Sequence, residues 1–141
     1  NYLAQVGTET WLDVASGAAI RSDGTLWTLI NNNWIQIPNT GTGWKMVSAW
    51  EGGHYMAIKS NGTLWGWGAN TYGQIGNGNT SNISSPIQIG TDANWLDVSA
   101  GGSHTIATKT DGSVWTWGLN SSGQLGTGDF QNRLIPFQIY F

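Results

Sequence analysis

The sequence predicts an all-β chain built of β-propeller blades, each of four antiparallel strands. Three observations carry that prediction. One long segment is written twice, as HYMAIKSNGTLWGWGANTYGQIGNG from His54 and HTIATKTDGSVWTWGLNSSGQLGTG from His104, and such a self-match marks a repeat array. Asp23-Gly24, Asn61-Gly62 and Asp111-Gly112 each separate two β-prone runs, as hairpin turns do. No segment carries apolar residues at helical spacing over the length a helix needs.

The elements follow in order. Residues 1–10 read as a strand and turn (YLAQVGTE from Tyr2), expected to be the outer strand completing a preceding or partner blade. The same motif returns as PIQIGTD at Pro86–Asp92 and PFQI at Pro136–Ile139. Residues 11–43 form an abbreviated blade. It keeps Trp11-Leu12-Asp13-Val14, the turn Ser22–Thr25, Leu26-Trp27 and an exit strand Trp34–Ile37, but lacks the Gly-Gly-His segment and the glycine-rich loop. Residues 44–94 and 95–141 are full repeats. In the last, four strands are expected at Val98–Ala100, Thr105–Lys109, Ser113–Trp117 and Pro136–Ile139. The Asx-Gly pairs tolerate the positive φ angles of a type I′ turn, whose twist matches the flanking strands. Within Ser113–Trp117 the side chains alternate Val114 and Thr116 against Trp115 and Trp117, with no charge on either face. Sheets apolar on both faces lie between neighbours, as propeller blades do.

Composition narrows the function. The chain has 141 residues, 9% of them charged, and ten tryptophans. Each aromatic can bury roughly 150–250 Å², which supplies a core despite few aliphatics. Zero cysteines exclude disulfides and thiolate metal sites. The net charge is −3, and Arg21, Lys45, Lys59, Lys109 and Arg133 are scattered, whereas a nucleic-acid surface needs clustered cations. No apolar run reaches the roughly 20 residues of a membrane span. Neither nucleic acid nor a membrane is expected as a partner, and no cofactor is implied.

The pattern V-x-A-G-G-x-H-x-x-A-x-x-x-D-G-x-V-W-x-W-G-x-N-x-x-G-Q-L-G-x-G, followed by P-x-x-I, spans Val98–Ile139 and, with one extra residue before His54, Val47–Ile89. It resembles the repeat of the regulator of chromosome condensation family, which implies a propeller of four-stranded blades. The first unit departs from the pattern and loosely resembles the shorter repeats of tectonin-type lectin propellers. Propeller rings use about four to eight blades, so this stretch is expected either to be an excerpt of a longer array or to close a ring with further copies. In the family such propellers include a nucleotide exchange factor for a small GTPase that binds chromatin; this acidic, charge-poor chain has no basic arm to match.

Candidate chemistry reduces mostly to structure. His54 and His104 occupy equivalent repeat positions, so a packing role is expected, with the ring hydrogen-bonded to backbone; two histidines without a third ligand make no zinc site. Gly52-Gly53 and Gly101-Gly102 suit close backbone approach near the propeller axis rather than a phosphate cradle, since no helix follows. The loops Gly68–Gly78 and Gly118–Gly128 lack the βαβ context of a nucleotide fingerprint. In them Asn70 and Asn120, Gly73 and Gly123, Gln74 and Gln124 read as structural repeat positions, with Ile75 and Leu125 as core anchors. No nucleophile or carboxylate pair stands out, and the chain reads as non-enzymatic. Trp27, Trp65, Trp67, Trp115 and Trp117 recur in register as core, while Trp34, Trp44, Trp50 and Trp95 are less constrained. Trp50 breaks the repeat where the third unit has Gly101, so Trp50, Glu51, Tyr55 and Trp34 are the candidate ligand or partner contacts. Sequons at Asn61, Asn79, Asn82 and Asn120 are expected by chance in such turns.

The expected function is a structural, protein-interaction module, its partner a protein or further blades of the same array. The alternative is a carbohydrate-binding module that stacks a glycan on loop tryptophans. The composition resembles that of bacterial surface or phage virion proteins.

Overall fold

A computed structural model describes residues 8–51 and 53–141. Three four-stranded sheets account for all the regular structure there. The first is β1 (Trp11–Ala15), β2 (Ala18–Arg21), β3 (Leu26–Ile30) and β4 (Asn33–Gln36). The second is β5 (Trp44–Ala49), β6 (His54–Lys59), β7 (Leu64–Gly68) and β8 (Ile83–Gln88). The third is β9 (Trp95–Ala100), β10 (His104–Lys109), β11 (Val114–Gly118) and β12 (Arg133–Ile139). Each is an antiparallel meander in chain order, and the inner strands β1, β5 and β9 pack side by side. These are consecutive propeller blades, here called first, middle and last. The expected strand at residues 1–10 falls largely on residues 1–7, outside the described residues.

Each blade buries two different faces. On one face of the middle blade lie Trp44, Val47, Ala57 and Trp67, packed with Ala18, Ile20 and Leu26 of the first blade. On the other lie Met56, Ile58, Leu64 and Ile75, packed with Trp95, Val98, Ala107 and Trp117 of the last. The rule is constant: a tryptophan-bearing face packs on the aliphatic face of the blade before it. It follows from period-two alternation along each strand. Trp44 and Trp95 are therefore core residues, 1% and 5% exposed, not the loosely constrained positions expected of them. They open strands that start three residues earlier than the Val47 and Val98 cores suggest.

The Asx-Gly turns differ from the expected type I′. Asp23, Asn61 and Asp111 have negative φ, and only the glycines are left-handed, at φ 78°, 80° and 83°. In the middle blade Gly62 N–H donates to Lys59 O at 2.8 Å and Lys59 N–H to Thr63 O at 3.1 Å. That is a type I turn closed by a left-handed glycine, the G1-bulge hairpin. The type I′ geometry instead occurs at Asn31 and Asn32 (φ 49° and 64°), which join β3 to β4 directly. There it replaces the glycine-rich loop of the other blades.

Candidate interaction surface

Each hairpin turn is wired to its own tryptophan. Thr25 Oγ1, Thr63 Oγ1 and Ser113 Oγ accept the indole N–H of Trp27, Trp65 and Trp115 at 2.7, 2.9 and 2.8 Å. The same hydroxyls donate to Asp23, Asn61 and Asp111 Oδ1. Those hydroxyl donors hold the Asp23 and Asp111 carboxyls below the usual carboxylate range. A cation then lies over the rings: Lys59 Nζ is 4.5 Å from Trp44 and 4.6 Å from Trp65, and Lys109 Nζ is 4.6 Å from Trp95 and 4.0 Å from Trp115. Arg21 lies 4.7 Å over Trp27. Three of the five cations thus share one blade position. The signal was present as a cation two residues before each Asx-Gly pair.

These sockets are filled by the linker from the blade before. Trp44 Nε1–H and Lys59 Nζ donate to Thr40 O, each at 3.2 Å. Lys109 Nζ meets Asp92 Oδ2 at 2.6 Å. At the first blade Arg21 pairs with Glu9.

The opposite end carries the two glycine-rich loops. Asn70 and Asn120 are fully buried. Their Oδ1 atoms accept the N–H of Ile75 and Leu125, each at 3.0 Å. Asn70 Nδ2 donates to Asn79 O and Ser81 O, and Asn120 Nδ2 to Thr127 Oγ1 and Asp129 O, all at 2.9–3.0 Å. Gln74 and Gln124 Oε1 accept the Tyr72 and Ser122 N–H at 2.9 Å. Gly73 and Gly123 donate back to Asn70 and Asn120 O. Asn120, with its amide so engaged, is no glycosylation acceptor in the folded chain. Arg133, donating to Asp129 Oδ2 at 2.7 Å, holds that carboxyl low.

The middle blade's loop reaches onto the last blade. A Cβ on Gly76 would meet Trp117 Nε1 at 2.7 Å, and one on Gly73 would meet Leu134 at 2.4 Å. The first blade has no such loop to lay on Trp67. Tyr55 stacks there instead, 5.1 Å between centroids and 7° between planes, beside a groove lined by Ile35, Ile37 and Ile83.

His54 lies between blades, fully buried. Its Nε2 is 2.6 Å from Thr105 Oγ1, whose hydroxyl donates to Gln74 O at 2.7 Å. A hydroxyl has one proton, so His54 must donate from Nε2, which leaves Nδ1 bare and unpartnered. The bond goes to a side chain of the neighbouring blade, not to backbone as expected. Burial first, and His104 second, push the His54 pKa down from 6.5 to about 4. His104 is only partly buried, and a Cβ on Gly101 would lie 2.7 Å from its ring. Gly101 therefore makes room for an imidazole rather than for backbone. Gly53 does meet backbone, at Gly102 O.

The four candidate contacts, Trp50 and Glu51 exposed and Tyr55 and Trp34 partly buried, are not gathered into one site. Trp50, 58% exposed, projects from the β5–β6 turn at the loop end, with Glu51 exposed beside it. The turn is closed by Gly53 N–H to Trp50 O at 3.0 Å. Tyr55 belongs to the stack just described. Trp34 lies on the first blade's outward face, 5.3 Å from Trp11, by a pocket of about 270 Å³ that Arg21, Trp27, Asn32 and Asn33 also line.

Comparison with known proteins bears on this architecture. The family model described as the regulator of chromosome condensation (RCC1) repeat matches residues 61–108 and 111–141, and a second model of that repeat matches 95–124. No curated protein matches by sequence. The crystal structure of human WBSCR16 superposes with a TM-score of 0.74 at 21% identity, over 88% of this chain and 37% of that one. Prp20p from Saccharomyces cerevisiae, described with its binding to Gsp1p and histones, gives 0.71 at 16%, over 88% and 36%. Yeast RCC1 (Prp20) bound by Kap60 gives 0.73 at 16%, over 88% and 35%. The chain thus spans little more than a third of each.

Proposed function

The chain belongs to the regulator of chromosome condensation (RCC1) repeat family, and from that premise we propose a non-enzymatic protein-interaction module whose protein partner docks at the loop end, against Trp50 and Glu51. The observation that carries the reading is Trp50 itself. It is a large, mostly exposed indole on a hydrogen-bonded turn, beside loops that buried asparagines fix in place. An aromatic anchor of this kind is what dominates protein interfaces. His54, Asn70 and Asn120 are buried, each with a hydrogen bond inside the fold. Yeast Prp20, one of the solved neighbours, binds Gsp1p, histones and Kap60, which supports a protein as the partner class.

The test is cross-linking of tagged chain in its native cells, wild type against Trp50→Ala, with quantitative mass spectrometry of what is captured. Capture should fall at least tenfold, the loss of about 1.4 kcal/mol or more that a central aromatic contact gives, with thermal stability unchanged. Equal capture overturns the assignment of Trp50.

A second reading has one observation in its favour. Trp11, Trp27 and Trp34 converge with Asn32 and Asn33 on one small pocket, a setting in which a pyranose can stack. A glycan array with wild type, Trp34→Ala and Trp50→Ala decides it. No binding, or binding that neither substitution touches, removes glycan recognition.

A further inference from the structure

The first blade differs from the other two at its outermost strand, and the difference lies in the backbone. Register equates Ile35, opposite Thr28, with Ile87, opposite Gly66, and with Phe137, opposite Thr116. One residue earlier stand Trp34, Pro86 and Pro136. In an antiparallel pair the backbone groups of alternate residues point toward the partner strand and away from it. Ile37 N–H donates to Leu26 O, so Asn33, Ile35 and Ile37 turn their backbone groups inward to β3, while Trp34 and Gln36 turn theirs outward. The outward N–H is therefore missing at Pro86 and Pro136 and present at Trp34. Proline on an outer strand keeps a sheet edge from pairing, and β4 lacks that guard. Neither the Trp34 nor the Gln36 N–H finds an acceptor among the described residues.

A groove runs beside this edge, bounded by the first blade on one side and the middle blade on the other. Its volume is about 410 Å³, and Ile35 lines it with Ile30, Ile37, Tyr55, Trp67 and Ile83. Ile35 is 47% exposed although the middle blade stands beside it, whereas Ile87, at the same place in the middle blade, packs on the core shared with the last. No charged side chain lines the groove.

We propose that β4 takes up a short extended segment of a protein partner as a fifth strand of the first blade, with an aliphatic side chain seated in the groove beside Ile35. In an antiparallel addition the two residues flanking that side chain exchange N–H···O bonds with Trp34 and Gln36. The residue opposite Ile35 makes no backbone bond to β4 and faces the groove, since side chains alternate along a strand. Backbone bonds give such strand addition its affinity, and the pocket gives it specificity; an uncharged groove selects an apolar side chain. Trp34 and Gln36 alone offer outward backbone groups, too short an edge to bury the roughly 1,000 Å² that a stable pairing of two whole chains needs. It suits a linear segment. The proposal rests on reading the chain as a protein-interaction module and gives that module a second contact of its own chemistry.

The probe is a blocked pentapeptide with threonine at both ends and glutamine on either side of a central isoleucine. Its relatives carry leucine, valine or aspartate at the centre, or N-methyl groups on both glutamines. Each is titrated into the isotope-labelled chain and followed by amide chemical shifts. The aliphatic-centred peptides should bind with a Kd of about 1 mM or tighter, shifting the Trp34 and Gln36 amides first. The aspartate and N-methyl peptides should bind at least tenfold more weakly. Trp34→Pro, which gives β4 the residue that the other two outer strands carry, should weaken binding at least tenfold, and Trp34→Phe, which keeps the N–H, should leave it intact. Ile35→Asp takes the place of Trp34→Pro should the latter lose its near-ultraviolet circular dichroism. The proposal is overturned if no aliphatic-centred peptide binds at about 1 mM, or if N-methylation or Trp34→Pro leaves binding unchanged. Light scattering of the chain alone adds one more arm: self-association that Trp34→Pro abolishes would make a second copy the occupant and overturn the peptide. Trp50→Ala should bind these peptides as the wild type does, so failure of this contact is separable from failure of the loop-end reading.

Discussion

Protonating His54 should cost the fold about as much as losing a large core side chain. In the folded chain the ring is sealed between two blades, neutral, with its only proton on Nε2. A second proton would go on Nδ1, which has no acceptor, and would add charge to an apolar seam. The unfolded chain accepts that proton near pH 6.5 and the folded chain only near about 4. Between those values the unfolded state binds more protons, so stability falls as pH falls. The contribution is intact above about 6.5, declines by about 1.4 kcal/mol per pH unit below it, and levels off below about 4, a total of about 3 kcal/mol. The assay is urea unfolding followed by tryptophan fluorescence at about pH 7.5, 5.5 and 4, on wild type and His54→Gln. Glutamine can still donate to Thr105 Oγ1 but does not titrate in this range. The gap between wild type and variant should shift by about 3 kcal/mol in favour of the variant on acidification. Parallel loss in the two would refute the argument.

Three further outcomes follow from local geometry. Gly62→Ala and Gly112→Ala impose the same left-handed strain, but a methyl on Gly62 would sit 2.2 Å from Ala93 O and one on Gly112 in open space; the first should cost about 3 kcal/mol and the second about 1 in denaturant unfolding. Asn120→Ala strands the Leu125 N–H and the Asp129 carbonyl; it should cost about 2 kcal/mol and expose the Leu125 amide to hydrogen exchange before the strand amides of the last blade. Lys109→Met keeps the stem in place but removes the charge over Trp95 and Trp115. It should cost about 1–2 kcal/mol by thermal melting, and Lys45→Met, at an exposed position, almost nothing.

The blade architecture was legible because Asx-Gly pairs and tryptophans recur in register, and register alone dictates which side chains share a face. Turn type was not legible from the dipeptide. Ile58 pairs with Leu64, which leaves five residues between them, and that length places the glycine at the bulge rather than within a two-residue turn. The type I′ turn hid in Asn31-Asn32, a pair without glycine. Trp44 and Trp95 looked unconstrained because their burial depends on a linker from another blade, a contact that no local pattern records. The cation positions were missed for a related reason: net charge treats five cations as one set, while their role is set by their distance from each turn. Nothing in the sequence sets Trp50 apart from a core indole except that it breaks the repeat.

One feature of the sockets bears on how the molecule is made. Each is built from a blade's own strands but filled by residues that precede that blade, Thr40 for Lys59 and Asp92 for Lys109. A ribosome delivers the filling segment before the socket, and each meander closes from contiguous residues. The emerging chain can therefore complete blades one at a time from its amino end, never waiting on a segment still to be synthesised, apart from the face that awaits the next blade. Domains commonly acquire structure in this direction during synthesis; here the placement of one linker carbonyl and one carboxylate builds that direction into the repeat.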